Sequence, residues 1–327
     1  MPAELYSKRD IERRLDFSSA LEIVEKTYIE TAQGRVLNPS KSTMHLGDDG
    51  EWPHMNAFSI GMPAYVDWLQ VAGMKWAVAT WDADTEKPIS SQILLFDLQR
   101  GEFTSIMEGM YITGVRTALQ SVVGLQYLFP STPTTIGIFG AGFQAKFQLL
   151  IIDSLMCVDQ FRLFDTHSQY AHDLANEIGP RIDAKIIVDN SPREVASSDA
   201  IITVTNSKTP VLNDCWLDDS AFLIALGSYR ELPDETILDS NHIIVDHTEQ
   251  CLQRGTLADI ATRNQLIPDD LHATIGEVLD GEYTTSIETD DRVVFVPIGL
   301  GSLDIAIAEY LHANDVQGSA TSEFDFG

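Results

Sequence analysis

The stretch TTIGIFGAGFQAKFQLL, residues 134–150, constrains the fold of this chain more than any other. A short apolar run ends in Gly140 and Gly142, one residue apart, and a helical pattern opens near Gln144. The first glycine permits a tight strand-to-helix turn. The second lets a pyrophosphate approach the backbone and rest on the helix N-terminus, where N–H groups lack partners. Ala145 stands where a small residue is needed for close helix–strand packing. What gives the spacing weight is its context. TIGIFG, QFRLFD, AKIIVD, AIITVT, AFLIALG and HIIVD are continuous apolar runs separated by polar helical segments. Strands covered by helices on both faces read this way. The alternation predicts an α/β fold: a Rossmann-type, doubly wound parallel sheet that binds a dinucleotide.

Asp165 ends the second of these strands, 25 residues after Gly140, against about 20 expected for the acid of a dinucleotide site. A carboxylate there accepts hydrogen bonds from the ribose hydroxyls and repels a 2′-phosphate, which favours NAD over NADP. The alternative is that Asp165 merely caps the following helix.

Upstream the rhythm differs. FSSALEIVEKTYIETAQG reads as a helix, with Ser19 and Glu22 in capping-box spacing, Leu21, Val24, Tyr28 and Ala32 on one face and Gly34 as its cap. STMHLG, VAGMKWAVAT, ISSQILLFDL and FTSIMEG read as strands with no helix between them, so a second α+β domain with a mixed or antiparallel sheet is expected. ITGVRTALQSVVGLQYL then reads as a helix with Arg116 near its start. RVVFVPIGLGSLDIAIAEYLHA reads as strand, glycine turn and helix.

With 327 residues, 44% of them hydrophobic, the chain can build two domains of about 150 residues each. It has no apolar run of about 18 residues, so no membrane span is expected. MPAELYSKRDIERRLDF lacks the apolar core of a secretory signal, which makes the cytoplasm the expected location. Against 49 acidic residues stand 21 Lys and Arg, a net charge of −28 that repels nucleic acid and anionic membranes. Cys157, Cys215 and Cys251 fit neither a zinc motif nor a disulfide framework. The 8 histidines form no metal pattern. His242 and His247 read as structural, and His54 as a weak candidate for lining a pocket.

In so acidic a chain, cations embedded in apolar patterns stand out: Lys75 in VAGMKWAVAT, Arg116 in ITGVRTALQ, and Lys41 in NPSKSTMHL. Each alone could be a snorkelling or salt-bridged surface cation. Together, beside a dinucleotide domain, they suggest a clamp for a small anionic substrate.

The order NPSKS, MPAYV, AGMKWA, MYITGVRTA, GIFGAGFQA, ITVTN, GSYRELPDE, VDH, ATIGEVLDG and VPIGLGSLDIA resembles the ornithine cyclodeaminase/mu-crystallin family, over about residues 5–313. The resemblance implies a homodimer. Residues 1–129 with 275–327 would form a substrate-binding and dimerisation domain, and residues 130–274 an inserted NAD-binding domain. It implies small L-amino or imino acid substrates with NAD(H) or NADPH. Lys75 and Arg116 would hold the substrate carboxylate, with Lys75 also at the reacting nitrogen. Lys41 stands where the family usually has an arginine, which loses bidentate geometry. Thr117 would lie near the cofactor phosphates, and Thr205 and Gly299 would flank the nicotinamide side.

One departure bears on the reaction. Ornithine cyclodeaminases carry an acid soon after the fifth strand that binds the δ-amine. Here Ser228 and Tyr229 hold those places, and the nearest acids are Glu231 and Asp234. Either these take over, or the substrate has no δ-amine. The leading expectation is cyclodeamination of L-ornithine to L-proline and ammonia. The alternatives are an alanine dehydrogenase-like or cyclic-imine reductase activity, and a cofactor-dependent binding protein without turnover.

Overall fold

A computed structural model describes residues 2–47, 52, 56–80, 89–284, 286–314 and 322–325. His54 lies outside the described residues. The chain forms two compact units, Met1–Arg116 with Leu300–Gly327, and Thr117–Gly299.

The first unit is built on a mixed sheet. Its strands run in the order Ser322–Phe324, Ala3–Tyr6, Glu102–Glu108, Ile89–Asp97, Val71–Thr80, Ala57–Val66 and Val36–Leu37, with Ser42–Leu46 also on Ala57–Val66. Every pairing is antiparallel except that of Ala3–Tyr6 with Glu102–Glu108. Ala57–Val66 is the strand the sequence hides, because Gly61 and Pro63 break its pattern. Proline has no N–H to give a ladder. The structure seats Pro63 where one neighbour is missing: Ser42–Leu46 pairs only as far as Gly61, and Val36–Leu37 begins at Tyr65.

Helix Gly301–Ala313 packs on strands Ala57–Val66, Val71–Thr80 and Ile89–Asp97 and against helix Phe17–Ala32. Its residues are buried from Gly301 to Ala308, as a core helix requires. Helix Phe17–Ala32 starts two residues before the predicted cap. Asp16 is its N-cap and accepts from the Ser19 N–H, so Ser19 sits inside the first turn. Helix Gly109–Tyr127 also begins earlier than predicted. The Glu108 carboxylate accepts from the N–H groups of Met110 and Tyr111 and so closes its N-terminus. Arg116 is therefore its eighth residue, beyond the first turn where the helix dipole is felt.

The second unit is an all-parallel sheet in the order Lys185–Val188, Gln160–Phe164, Thr135–Phe139, Ala200–Thr203, Phe222–Ala225, Val293–Val296, His242–Val245 and Ala273–Thr274. The order turns back at Thr135–Phe139, the switch point where dinucleotide folds open a crevice. Phe222–Ala225, His242–Val245 and Val293–Val296 are buried at every position, matching their continuous apolar sequence. Val293–Val296 corrects the expected boundary. It inserts between Phe222–Ala225 and His242–Val245, so residues up to Gly299 belong to this unit rather than ending it at 274. The other border falls at Arg116/Thr117, inside a continuous helix, rather than at 129. No helix among the described residues is long and apolar enough to cross a membrane.

Candidate active site

In the first unit the period of a strand decides where Lys75 points. Successive side chains on Val71–Thr80 alternate between faces. Met74 and Trp76 are 36% and 51% exposed, and Lys75 between them is 2% exposed on the inner face. A buried ammonium needs partners. It finds Asp304 Oδ2 at 2.8 Å and Thr113 Oγ1 at 3.2 Å. The other oxygen, Asp304 Oδ1, accepts from Thr113 Oγ1 at 3.3 Å and from Arg116 Nε at 3.4 Å. Thr113 and Arg116 are three residues apart on helix Gly109–Tyr127 and so share a face. Asp304 comes from helix Gly301–Ala313, fully buried.

Burial pushes the Lys75 ammonium down to about 8, helped by the Arg116 charge and opposed by Asp304. For Asp304, burial acts upward, but Lys75 and Arg116 outweigh it and hold the carboxyl below its ordinary value. The result is a lysine poised near neutrality, able to gain and lose a proton, and an arginine 8% exposed beside it. Lys41 is half-buried immediately before strand Ser42–Leu46. Asp304 and Thr113 were not singled out from the sequence. The available signal for Asp304 was an acid inside the apolar run SLDIAIA, which must have a partner if that run is buried.

In the second unit the glycine turn has the geometry its spacing predicts. Gly140 has φ +102°, and a Cβ there would lie 2.7 Å from the Val204 carbonyl oxygen. Gly142 is the N-cap of helix Phe143–Leu155, and a Cβ there would meet nothing within 4 Å. Packing among the described residues therefore does not explain Gly142, and its open backbone leaves room for a ligand. Ala145 is fully buried in the helix, and Gln144 lies in its first turn. Asp165 is not the cap of the next helix, whose N-cap is His167. Its Oδ2 accepts from the Ala141 N–H of the turn at 2.9 Å, and its Oδ1 from the His167 N–H at 2.8 Å. An ionised carboxylate accepts about four hydrogen bonds, so two remain for ribose hydroxyls. Turn, helix N-terminus and fixed acid together fit a dinucleotide.

Of the three other residues expected on the cofactor side, Gly299 and Thr205 are tied to buried acids. The Gly299 N–H donates to Asp246 Oδ2 at 2.7 Å, where Gln120 Nε2 also donates at 3.3 Å. Thr117 is buried on helix Gly109–Tyr127. Thr205 donates through both N–H and Oγ1 to Glu231 Oε1, at 2.6 and 2.7 Å. Thr203 Oγ1 and the Gly227 N–H donate to Glu231 Oε2, at 2.8 and 2.7 Å. All four acceptor sites of the Glu231 carboxylate are thus used inside the unit. Burial raises its pKa, opposed by those hydrogen bonds. Asp234 is held in ion pairs with Arg230 and Arg263. Glu231 serves as an internal brace, and Asp234 is already neutralised by two arginines.

His242 is structural as expected, bonded to Tyr283 Oη at 2.7 Å and to Asp291 Oδ2 at 3.0 Å. His247 is the N-cap residue of helix Thr248–Gln253, and its Nδ1 is buried with no hydrogen-bond partner among the described residues, unlike the satisfied histidine expected. Cys251 is buried against Asp246, and Cys157 and Cys215 are exposed free thiols. Among the described residues no group of His, Cys, Asp or Glu could hold a metal ion.

A profile of the ornithine cyclodeaminase/mu-crystallin family matches residues 3–319. The chain belongs to that family. Within it, a Delta(1)-pyrroline-2-carboxylate reductase of Bacillus cereus is 27% identical over 273 residues, covering 81% of this chain and 84% of the relative. An alanine dehydrogenase of Archaeoglobus fulgidus is 25% identical over 335 residues, covering 100% and 99%. The solved structure of an archaeal alanine dehydrogenase dimer with bound NAD superposes with a TM-score of 0.89 at 24% identity, over 100% of both chains. That likeness shows that the chain has the family's fold.

Proposed function

We propose that this protein is an NAD(H)-dependent oxidoreductase acting at Cα of a small amino or imino acid, and that its substrate is a cyclic imino acid of the Δ1-pyrroline-2-carboxylate type. The buried set Lys75, Thr113, Arg116 and Asp304 carries the reaction class, and the similarity to a Delta(1)-pyrroline-2-carboxylate reductase supports the cyclic substrate. Arg116 binds the substrate carboxylate, and Lys75 faces the substrate nitrogen. When bound, NAD(H) supplies or accepts the hydride at Cα. Gly140, Gly142 and the first turn of helix Phe143–Leu155, with Gln144 and Ala145, hold its pyrophosphate, and Asp165 its adenosine ribose. Thr117, Thr205 and Gly299 line the remainder of the cofactor path. In the reducing direction Lys75 delivers a proton to the imine nitrogen, and in the oxidising direction it takes one from the amine.

Cyclodeamination of L-ornithine fits less well. It asks for an acid at the δ-amine, yet Glu231 has its acceptor sites filled and Asp234 is paired with Arg230 and Arg263. The alanine dehydrogenase reading needs only the same lysine and arginine, and it is favoured by a relative that spans the whole chain.

We further propose a homodimer formed through the first unit's sheet. Met44, Met74, Trp76, Val78 and Phe103 are exposed large apolar side chains on it, and a second copy would cover them.

The test is to supply Δ1-pyrroline-2-carboxylate with NADH, pyruvate and ammonia with NADH, and L-ornithine with NAD. NADH loss with the cyclic imine supports the proposal. NADH loss with pyruvate and ammonia alone moves the assignment to alanine. Ammonia release from L-ornithine without net NADH would overturn it.

A further inference from the structure

Thr113 stands between the two ends of the buried ion pair. Its Oγ1 lies 3.2 Å from Lys75 Nζ and 3.3 Å from Asp304 Oδ1. A hydroxyl has one hydrogen to give and two lone pairs to receive with. Asp304 is ionised beside two cations and can only accept. Thr113 therefore donates to Asp304 Oδ1 and receives from the Lys75 ammonium.

That assignment has a stereochemical consequence. An ammonium has three N–H groups. The Asp304 Oδ2 contact at 2.8 Å takes one and Thr113 takes a second. With the Cε bond and two hydrogens tethered, the direction of the third N–H is fixed. Without Thr113 only the Asp304 hydrogen bond resists rotation about the Cε–Nζ bond, so the third N–H is held less firmly. We propose that Thr113 is a positioning residue: its hydroxyl aims the one untethered Lys75 N–H at the substrate nitrogen and helps hold the proton on Lys75. This rests on the assignment of Lys75 as the proton donor and acceptor given above.

The chemistry it serves is balanced. In reduction, hydride adds to Cα, the C=N π pair moves to nitrogen, and nitrogen takes the Lys75 proton. Solvent then reprotonates Lys75. The transferred proton travels along the N–H that Thr113 and Asp304 aim, so misdirection slows the transfer while the Arg116 contact with the carboxylate is retained.

The variants are Thr113→Val, which keeps the shape and removes the hydroxyl, and Thr113→Ser, which keeps the hydroxyl and removes the methyl. Thr113→Val is expected to lower kcat for reduction of Δ1-pyrroline-2-carboxylate about tenfold with KM changed less than about threefold. Losing an acceptor for the charged lysine moves the pH limb of kcat downward by about half a unit to one unit. Thr113→Ser restores both.

A second readout needs no turnover. The affinity of pyrrole-2-carboxylate, a planar carboxylate that cannot be reduced at Cα, falls as Lys75 loses its proton. The inflection of that fall, measured by calorimetry on the NAD-loaded protein, moves down in Thr113→Val and returns in Thr113→Ser. Thr113→Ala carries the same expectations if the valine variant does not fold. Unchanged kcat and an unmoved inflection in the hydroxyl-free variants would overturn the proposal. So would equal impairment of the serine variant, which would assign the effect to the methyl. Full activity of Lys75→Met would instead remove the assignment of Lys75.

Discussion

In the proposed mechanism Asp304 is the residue on which both Lys75 and Arg116 depend. It faces Lys75 through one oxygen and Thr113 and Arg116 through the other. Replacing it by asparagine leaves two buried cations without their counter-charge, and breaking a buried pair in this way costs about 3–5 kcal/mol. Asp304→Asn should therefore lower Tm by several degrees and kcat by about a hundredfold or more, measured by calorimetry and by NADH consumption. A variant with wild-type Tm and kcat would contradict the assigned roles. The sign of the pH dependence follows from Lys75. Its pKa is lowered from 10.5 to about 8, so between those values the unfolded chain binds the extra proton. Stability should rise with pH across that window. Reduction uses the protonated lysine, so its kcat should hold level below about 8 and fall above it. Oxidation should rise through the same pH. Lys75 and Arg116 were legible in the sequence because cations are rare inside apolar patterns. Asp304 lies 229 residues from Lys75, and only the folded sheet and helix bring the two together.

At the scale of the element, the two glycines of the turn separate fold from function. Gly140→Ala meets a positive φ and the Val204 oxygen at 2.7 Å, so it should destabilise the second unit by about 2 kcal/mol or more. Gly142→Ala meets nothing within 4 Å. Tm should be nearly unchanged, while NAD affinity, read by fluorescence titration, should drop about tenfold or more. Equal NAD affinity in Gly142→Ala would mean the pyrophosphate lies elsewhere. The turn and the parallel strands were readable because continuous apolar runs alternate with polar helices. Strand Ala57–Val66 was not, since Gly61 and Pro63 interrupt the pattern and the gap that accommodates proline exists only in the assembled sheet. The place of Val293–Val296 was also hidden. The strand was visible, but its insertion between Phe222–Ala225 and His242–Val245 is set by packing between elements far apart in sequence. The sequence places Glu231 as an acid near the fifth strand, while its role as a brace depends on four donors that only the fold brings to it.

For the molecule as a whole, charge and the open sheet face make opposite demands. A net charge of −28 repels a second copy and the compact state alike. Screening shortens that repulsion to about 3 Å at 1 M salt, from about 10 Å at 0.1 M. Tm should therefore climb as KCl is raised over that range, and a flat Tm would show that self-repulsion is unimportant. The sheet face offers the contact area. Met74, Trp76 and Val78 alternate along one strand; the register runs from Val78 through Ser59 to Met44, and from Ala72, of the same alternation, through Phe96 to Phe103. Trp76→Glu should yield a monomer by light scattering in high salt, where the unaltered protein should be a dimer. Unaltered protein that is monomeric there would remove the proposed interface.

In the proposed mechanism Lys75, held by Asp304 and Thr113, moves the proton during hydride transfer to a cyclic imino acid. Its most direct test is kcat for NADH-dependent reduction of Δ1-pyrroline-2-carboxylate as a function of pH, in the unaltered protein and in Lys75→Met. Turnover should fall above about pH 8 in the unaltered protein, and the variant should lose about a hundredfold to ten-thousandfold. A variant that reduces the imine as fast as the unaltered protein, with the same pH profile, would contradict it.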